Sequence, residues 1–213
     1  MMKNSIQRML VACGIAAPVL YGVAVIIGGI ITPGYSHLAH DISGLIASYA
    51  PGKGVLDPIF VAYNILLMAF GVGLLSRFAE QAKGVGVAGA AIIIVIGAFG
   101  LVLTILFPRD PIGAEQTFAG IMHIVFAGLM SIGTMTAVPL VALHLRKIGL
   151  RGYAVYSFIT LAVVLVSGIW AVSAAATDSG VLGLAERITI GAFVLWVYVI
   201  ALKMYKRSPG SVR

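Results

Sequence analysis

The stretch YSHLAHDISGL, Tyr35 to Leu45, sets His37, His40 and Asp41 close together in a chain otherwise dominated by Gly, Ala, Val, Ile and Leu. Neutral imidazoles and a carboxylate are suitable ligands for a divalent ion such as zinc, and a site of this kind can be completed from another helix. The spacing is a weak zinc motif, because no general-base Glu sits between the ligands as it does in H-E-x-x-H. A divalent metal is therefore an open but not favoured cofactor. A hydrogen-bonded polar site without metal and an ordinary solvated face are the competing readings.

His123 is the other histidine of interest, since it falls inside an apolar run, where an ionisable group usually faces the bundle interior or a water-filled cavity. Ala127, Ser131 and Thr134 follow it on the same helical face, so this side is small and polar. A base, a ligand, a headgroup contact, or simply an imidazole bonded to a nearby carbonyl all fit. The set His37, His40, Asp41 and His123 is thus the candidate catalytic and metal-ligating group. Substrate-binding candidates are Asp57 and Asn64 in LDPIFVAYN, Arg109 and Asp110 in FPRDP, and Glu186 and Arg187 in GLAERITIG. Asn64 needs a partner in hydrocarbon and is expected to bond across helices. Arg109 or Arg187 could form a buried ion pair with Asp41, Asp57, Asp110 or Glu186, or hold a phosphate by bidentate bonding.

The elements that must position these groups follow from composition. Hydrophobic residues make up 61% of the 213 and charged residues 10%, with a mean hydropathy of +1.08, where a soluble domain carries roughly 25% charged residues. Apolar runs near residues 10–31, 59–75, 85–107, 118–143, 153–176 and 188–204 are each long enough to span a hydrocarbon core as a helix that satisfies its own backbone. The expected fold is all-α: a single six-helix transmembrane bundle over residues 1–213. The first run follows Lys3 and Arg8 but is long and lacks a small-x-small site, so it reads as a retained anchor. Cys13 is the sole cysteine and a packing residue. Glycines at 84, 86, 89, 97 and 100, and the Gly28-Gly29 pair, offer close helix contacts. Trp170 fits an aromatic belt, whereas Trp196 sits nearer mid-span and should pack against a neighbour.

Between the first two runs, helical spacing puts His37, His40, Asp41, Gly44 and Ser48 on one side and Leu38, Ile42, Leu45 and Tyr49 on the other. Ser36 could cap this segment and Pro51-Gly52 end it, which predicts a short interfacial helix in the first outer loop.

Charge sets orientation. Lys3, Arg8, Arg77, Lys83, Arg146, Lys147, Arg151, Lys203, Lys206, Arg207 and Arg213 gather at one end, leaving Lys53, Arg109 and Arg187 at the other. By the positive-inside rule both termini are cytoplasmic. The net charge of +7 then reports topology and attraction to anionic lipid, not a nucleic-acid groove. Six of the seven acids, all but Glu80, lie at the opposite, outer end with His37, His40 and His123.

YSHLAHDIS after the first run, LDPIF with Asn64 entering the second, FPRDP after the third, His123 early in the fourth and GLAERI opening the sixth together resemble a family of six-span bacterial and archaeal membrane proteins, domain of unknown function 998. The resemblance covers essentially the whole chain. It implies a six-span fold in a prokaryotic plasma membrane and no activity, so no catalytic residue carries over from it.

Three functions compete. One is binding of, or enzymatic action on, a lipid or lipid-linked substrate at the outer leaflet, with metal-assisted hydrolysis at His37, His40, Asp41 and His123 as one version. Another is a small transporter or channel, less supported because the middle of every span lacks an Asp, Glu, Lys or Arg. The third is a non-catalytic lipid-binding or interaction protein. Membrane lipid is the expected partner, and homo-oligomerisation stays open. One histidine within a span does not make a multi-haem carrier, and no G-x-S-x-G elbow supports a serine hydrolase, leaving only Ser36 or Ser43 beside the histidines.

Overall fold

The computed structural model describes residues 2–81, 84–111 and 113–207. Lys83 and Arg213 of the basic end lie outside them. Six helices account for most of the described residues: α1 (Met2–Ile31), α2 (Lys53–Gln81), α3 (Val85–Leu106), α4 (Phe118–Lys147), α5 (Arg151–Thr177) and α6 (Leu182–Lys206). All six are long and apolar enough to cross a membrane. By length and composition, then, this is a multi-pass helical membrane protein. Most of the helices outrun their apolar cores, carrying charges such as Arg77, Glu80, Arg146, Glu186 and Lys203 within their last two turns at either end. An apolar run measures the hydrocarbon thickness, whereas hydrogen bonding lets the helix continue beyond it.

The principal packing follows chain order, each helix against the next, and α6 closes back onto α1. Small residues permit this. A β-carbon on Gly97 would meet Met68 of α2, and one on Gly89 would meet Val141 and Leu140 of α4. The faces of α3 therefore serve both neighbours, as the glycine pattern predicts. The Gly28-Gly29 pair of α1 works differently, for it receives Leu45 and His37 of the connecting segment. Trp196 is wholly buried, stacks on Phe193 and donates from Nε1 to Ser157 Oγ at 2.8 Å.

The basic end gathers Arg8, Arg77, the α4 terminus, Arg151 and the α6 terminus. The acidic end gathers the α1–α2, α3–α4 and α5–α6 connections. The α1–α2 connection is not the expected interfacial helix. It consists of turns and a single 3-10 turn over Ser43–Ile46. Ile42, Leu45 and Ile46 insert into a small core with Ala24, Leu56 and Phe60, while Leu38 and Tyr49 are exposed. The reason lies in the backbone. One i→i−4 bond forms, from His40 N–H to Ser36 O; Ser36 Oγ caps that turn by accepting from Ala39 N. Beyond it, Leu45 and Ala47 bond only three residues back, to Ile42 O and Gly44 O, and partners from other elements take two further amides. Ile42 N–H donates to Glu186 Oε2 at 2.5 Å, and Ser48 N–H donates to Arg109 O at 2.8 Å. Tertiary bonds thus replace the ladder a helix needs.

Candidate functional site

Two arginines organise the acidic end. Arg187, in the second turn of α6, donates from Nη1 to His40 O at 2.9 Å and to Gly183 O at 2.8 Å. Its Nη2 donates to Tyr35 Oη at 2.5 Å, and the guanidinium lies over the Tyr35 ring. Tyr35 Oη in turn donates to Asp41 O at 2.8 Å. Burial raises the Tyr35 pKa, opposed by the bond from Arg187. With Leu184 N–H bonding Leu38 O at 2.9 Å, the segment from His37 to Ile42 is strapped onto the start of α6. Glu186 and Arg187 therefore hold the strap from behind.

Arg109, in the α3–α4 connection, fixes the same segment from the other side. Its Nη1 donates to Asp41 Oδ1 at 2.6 Å, and Ser43 Oγ donates to Asp41 Oδ2 at 2.5 Å. Asp41 is only 6% exposed. Paired and hydrogen-bonded, a carboxylate tolerates such burial. Of the four carboxylates weighed as arginine partners, this is the one that Arg109 takes.

A half-open groove of about 350 Å³ runs between the two connections. Arg109, Asp41 and His40 line it, with Tyr35, Ser48, Tyr49 and Thr32, the residue after α1. His40 accepts from Ser36 N–H on Nδ1 at 3.0 Å, which leaves the proton on Nε2 when the ring is neutral.

The remaining candidates stand outside the groove lining. His37 lies beside it, its ring in the space that a β-carbon on Gly29 would fill and edge-on to Tyr35. Desolvation there, then the Arg187 charge, lowers its pKa. His123 is buried and its Nδ1–H donates to Phe107 O at 2.8 Å, because a carbonyl can only accept. This bond ties α4 to the end of α3. Asp57 pairs with Lys53 at 2.6 Å instead of an arginine, since α2 begins at Lys53 and sets the two one turn apart. Asn64 bonds its own helix, Nδ2–H to Phe60 O at 2.9 Å, and its Oδ1 faces Gly100 of α3 with no hydrogen-bond partner among the described residues. The expected bond across helices is absent because glycine presents no donor there. Among the described residues, no three His, Cys, Asp or Glu side chains are grouped so as to hold a metal. The hydroxyls of Ser36 and Ser43 are engaged with Ala39 N and Asp41 respectively, neither with an imidazole.

Asp110 organises the entry to α4. Its carboxylate accepts from Thr117 N–H and from Thr117 Oγ–H, both at 2.8 Å, while Thr117 Oγ accepts from Gly120 N–H and caps the helix. Those two bonds from Thr117, backbone first, hold the carboxyl below its ordinary pKa of 3.8. A carboxylate whose folded pKa is depressed contributes stability above its unfolded pKa and loses it as pH falls through the folded one. Wild-type protein should therefore exceed Asp110→Asn in thermal stability at neutral pH, and the gap should close on acidification below the ordinary aspartate range. Detergent-phase melting curves across that range check this; a gap that stays constant with pH would refute the assignment.

Sequence reasoning missed Tyr35, Thr32 and Gly183. Tyr35 opens the motif that drew notice, but nothing in the sequence tells that its hydroxyl joins Arg187 to the Asp41 backbone. Gly183 opens the GLAERI motif, but its role is not apparent until the strap is seen to cross it.

No curated protein matches the chain significantly, and no solved structure does. The family model described as Protein of unknown function (DUF998) matches residues 15–203, in keeping with the order of the five short motifs along the spans, and the chain belongs to that family.

Proposed function

We propose that this protein binds the polar head of a lipid, or of a lipid-linked substrate, in the groove at its acidic end, and that this end stands on the outer side of a prokaryotic plasma membrane. The asymmetry of Lys and Arg between the two ends supports both termini being cytoplasmic. One observation carries the functional reading: a groove of about 350 Å³ opens where the helices end, with the Arg109–Asp41 pair in its wall. Arg109 spends Nη1 on Asp41, and a guanidinium has five N–H donors in a planar fork suited to phosphate. Exposed apolar residues of α1 flank this end, among them Ile30 and Ile31, so acyl chains can stay in lipid while the head enters the groove. Binding is better supported than hydrolysis, because His37 and His123 stand outside the groove and leave His40 as its sole imidazole. Transport has less support, since the middle of every span lacks an Asp, Glu, Lys or Arg.

The test is lipid retention by purified full-length protein in native mass spectrometry. Arg109→Gln should weaken phospholipid binding by roughly ten- to a hundredfold, the loss expected of one charge-assisted contact. Binding that is undiminished in the variant, or absent in the wild type, would sink the proposal.

A further inference from the structure

The groove carries one formal cation and one formal anion, joined at 2.6 Å. We infer that its ligand is a zwitterion, a phosphate linked to an amine, with phosphate against Arg109 and ammonium against Asp41. This rests on the headgroup reading above and narrows it to one chemical class.

The argument is charge matching. A phosphate diester with no amine would be drawn to Arg109 but repelled by the carboxylate one hydrogen bond away, so the ion pair discriminates against a purely anionic head. An amine without phosphate meets the opposite conflict. A head carrying both charges satisfies both partners. Asp41 has capacity for the amine: two carboxylate oxygens offer about four lone-pair sites, of which Arg109 and Ser43 take one each.

Two further features of the wall point the same way. Thr32 is a lining residue of the groove, and its hydroxyl, buried just behind that surface, has no hydrogen-bond partner among the described residues. An orphaned hydroxyl beside a binding wall is a donor in need of an acceptor, which a phosphate oxygen supplies once the Thr32 side chain rotates toward the groove. Tyr49 is 95% exposed at the groove, and its backbone is held in the left-handed region at φ 68°, a conformation that costs a non-glycine residue free energy. A tyrosine face is a favourable surface for an ammonium group, and Tyr49 has no interior packing role that would explain a ring there.

The experiment titrates full-length protein with dihexanoyl phosphatidylethanolamine, dihexanoyl phosphatidylglycerol and free phosphoethanolamine, read by native mass spectrometry. The ethanolamine lipid should bind about tenfold tighter than the glycerol lipid, the value of one additional charged contact. Asp41→Asn should erase or reverse that preference. Because Asp41 is buried and its variant is at risk of misfolding, Tyr49→Gly provides a second route: it relieves the positive φ, leaves the core untouched and should weaken ethanolamine-lipid binding roughly two- to fivefold. Equal affinity for the two lipids in wild type, both still dependent on Arg109, would overturn the zwitterion while leaving headgroup binding intact. Free phosphoethanolamine binding as tightly as the lipid would support the zwitterion and overturn the lipid. Absence of binding by all three overturns both.

Discussion

Gly183→Ala is expected to detach the strap from α6 and abolish phospholipid binding at the acidic end. A β-carbon at this position would fall inside contact distance of His40 O and 2.8 Å from both His37 O and Arg187 Nη1. Two of these three are backbone atoms that cannot swing aside, so the segment itself must move. Moving it breaks the bonds from Leu184 N to Leu38 O and from Arg187 to His40 O, and shifts Asp41, the next residue, relative to Arg109. Overpacking of this kind costs about 1–3 kcal/mol, to be read as a lowered melting temperature in detergent, with loss of lipid in native mass spectrometry. Gly191→Ala is the control. It lies on the same helix with nothing within 4 Å of a β-carbon, so it should be neutral or raise stability by up to about 1 kcal/mol. If Gly183→Ala behaves like Gly191→Ala, the strap does not depend on close contact with α6.

Arg77→Met should be the more destabilising change, and it should leave the headgroup site's preference unaltered in the protein that folds. Arg77 is 3% exposed in α2 and reaches the end of α6, where Nη1 donates to Met204 O and, at 2.9 Å, to Arg207 O. Its Nε contacts Gln7 Oε1 of α1 at 3.4 Å. The last carbonyls of a helix have no intrahelical donor, and the C-terminal end of the macrodipole favours a cation. Methionine keeps much of the volume and removes every donor, leaving buried carbonyls unpaired. Each buried acceptor that loses its donor costs about 1–3 kcal/mol, and Arg77 serves more than one, Met204 O and Gln7 Oε1 among them. Hydrogen exchange should report it as faster exchange over Lys203–Lys206 relative to mid-α6. Unchanged protection of that turn would show that packing alone holds it.

The two ends differ in how far they could be read beforehand. Six spans follow from local composition, because a helix in lipid must bond itself and hydrocarbon thickness fixes its length. The segregation of acids from bases is likewise written in linear order, since each span reverses the chain. Pairing of Arg109 with an acid of the same end was legible as one of several choices. That the acid is Asp41, while Asp57 turns to Lys53 and Asp110 to Thr117, was not. Long side chains choose among neighbours by distance, and distance between connections depends on how the helices pack.

The α1–α2 connection draws the same line more sharply. Of its expected apolar side, Ile42 and Leu45 do bury, joined by Ile46, whereas Leu38 and Tyr49 are exposed. An α-helix did not form, because Glu186 and Arg109 offered Ile42 and Ser48 better partners for their amides than the preceding turn. The sequence alone determined the number of spans, the polarity of the two ends and the residue types at the mouth, since these depend on properties each segment carries by itself. Only the tertiary structure decided that His40, Asp41 and Arg109 share a groove while His37, His123, Asp57 and Asn64 do not. Which groups share a cavity depends on contacts between residues such as Arg109 and Asp41, 68 positions apart, and no local pattern encodes them.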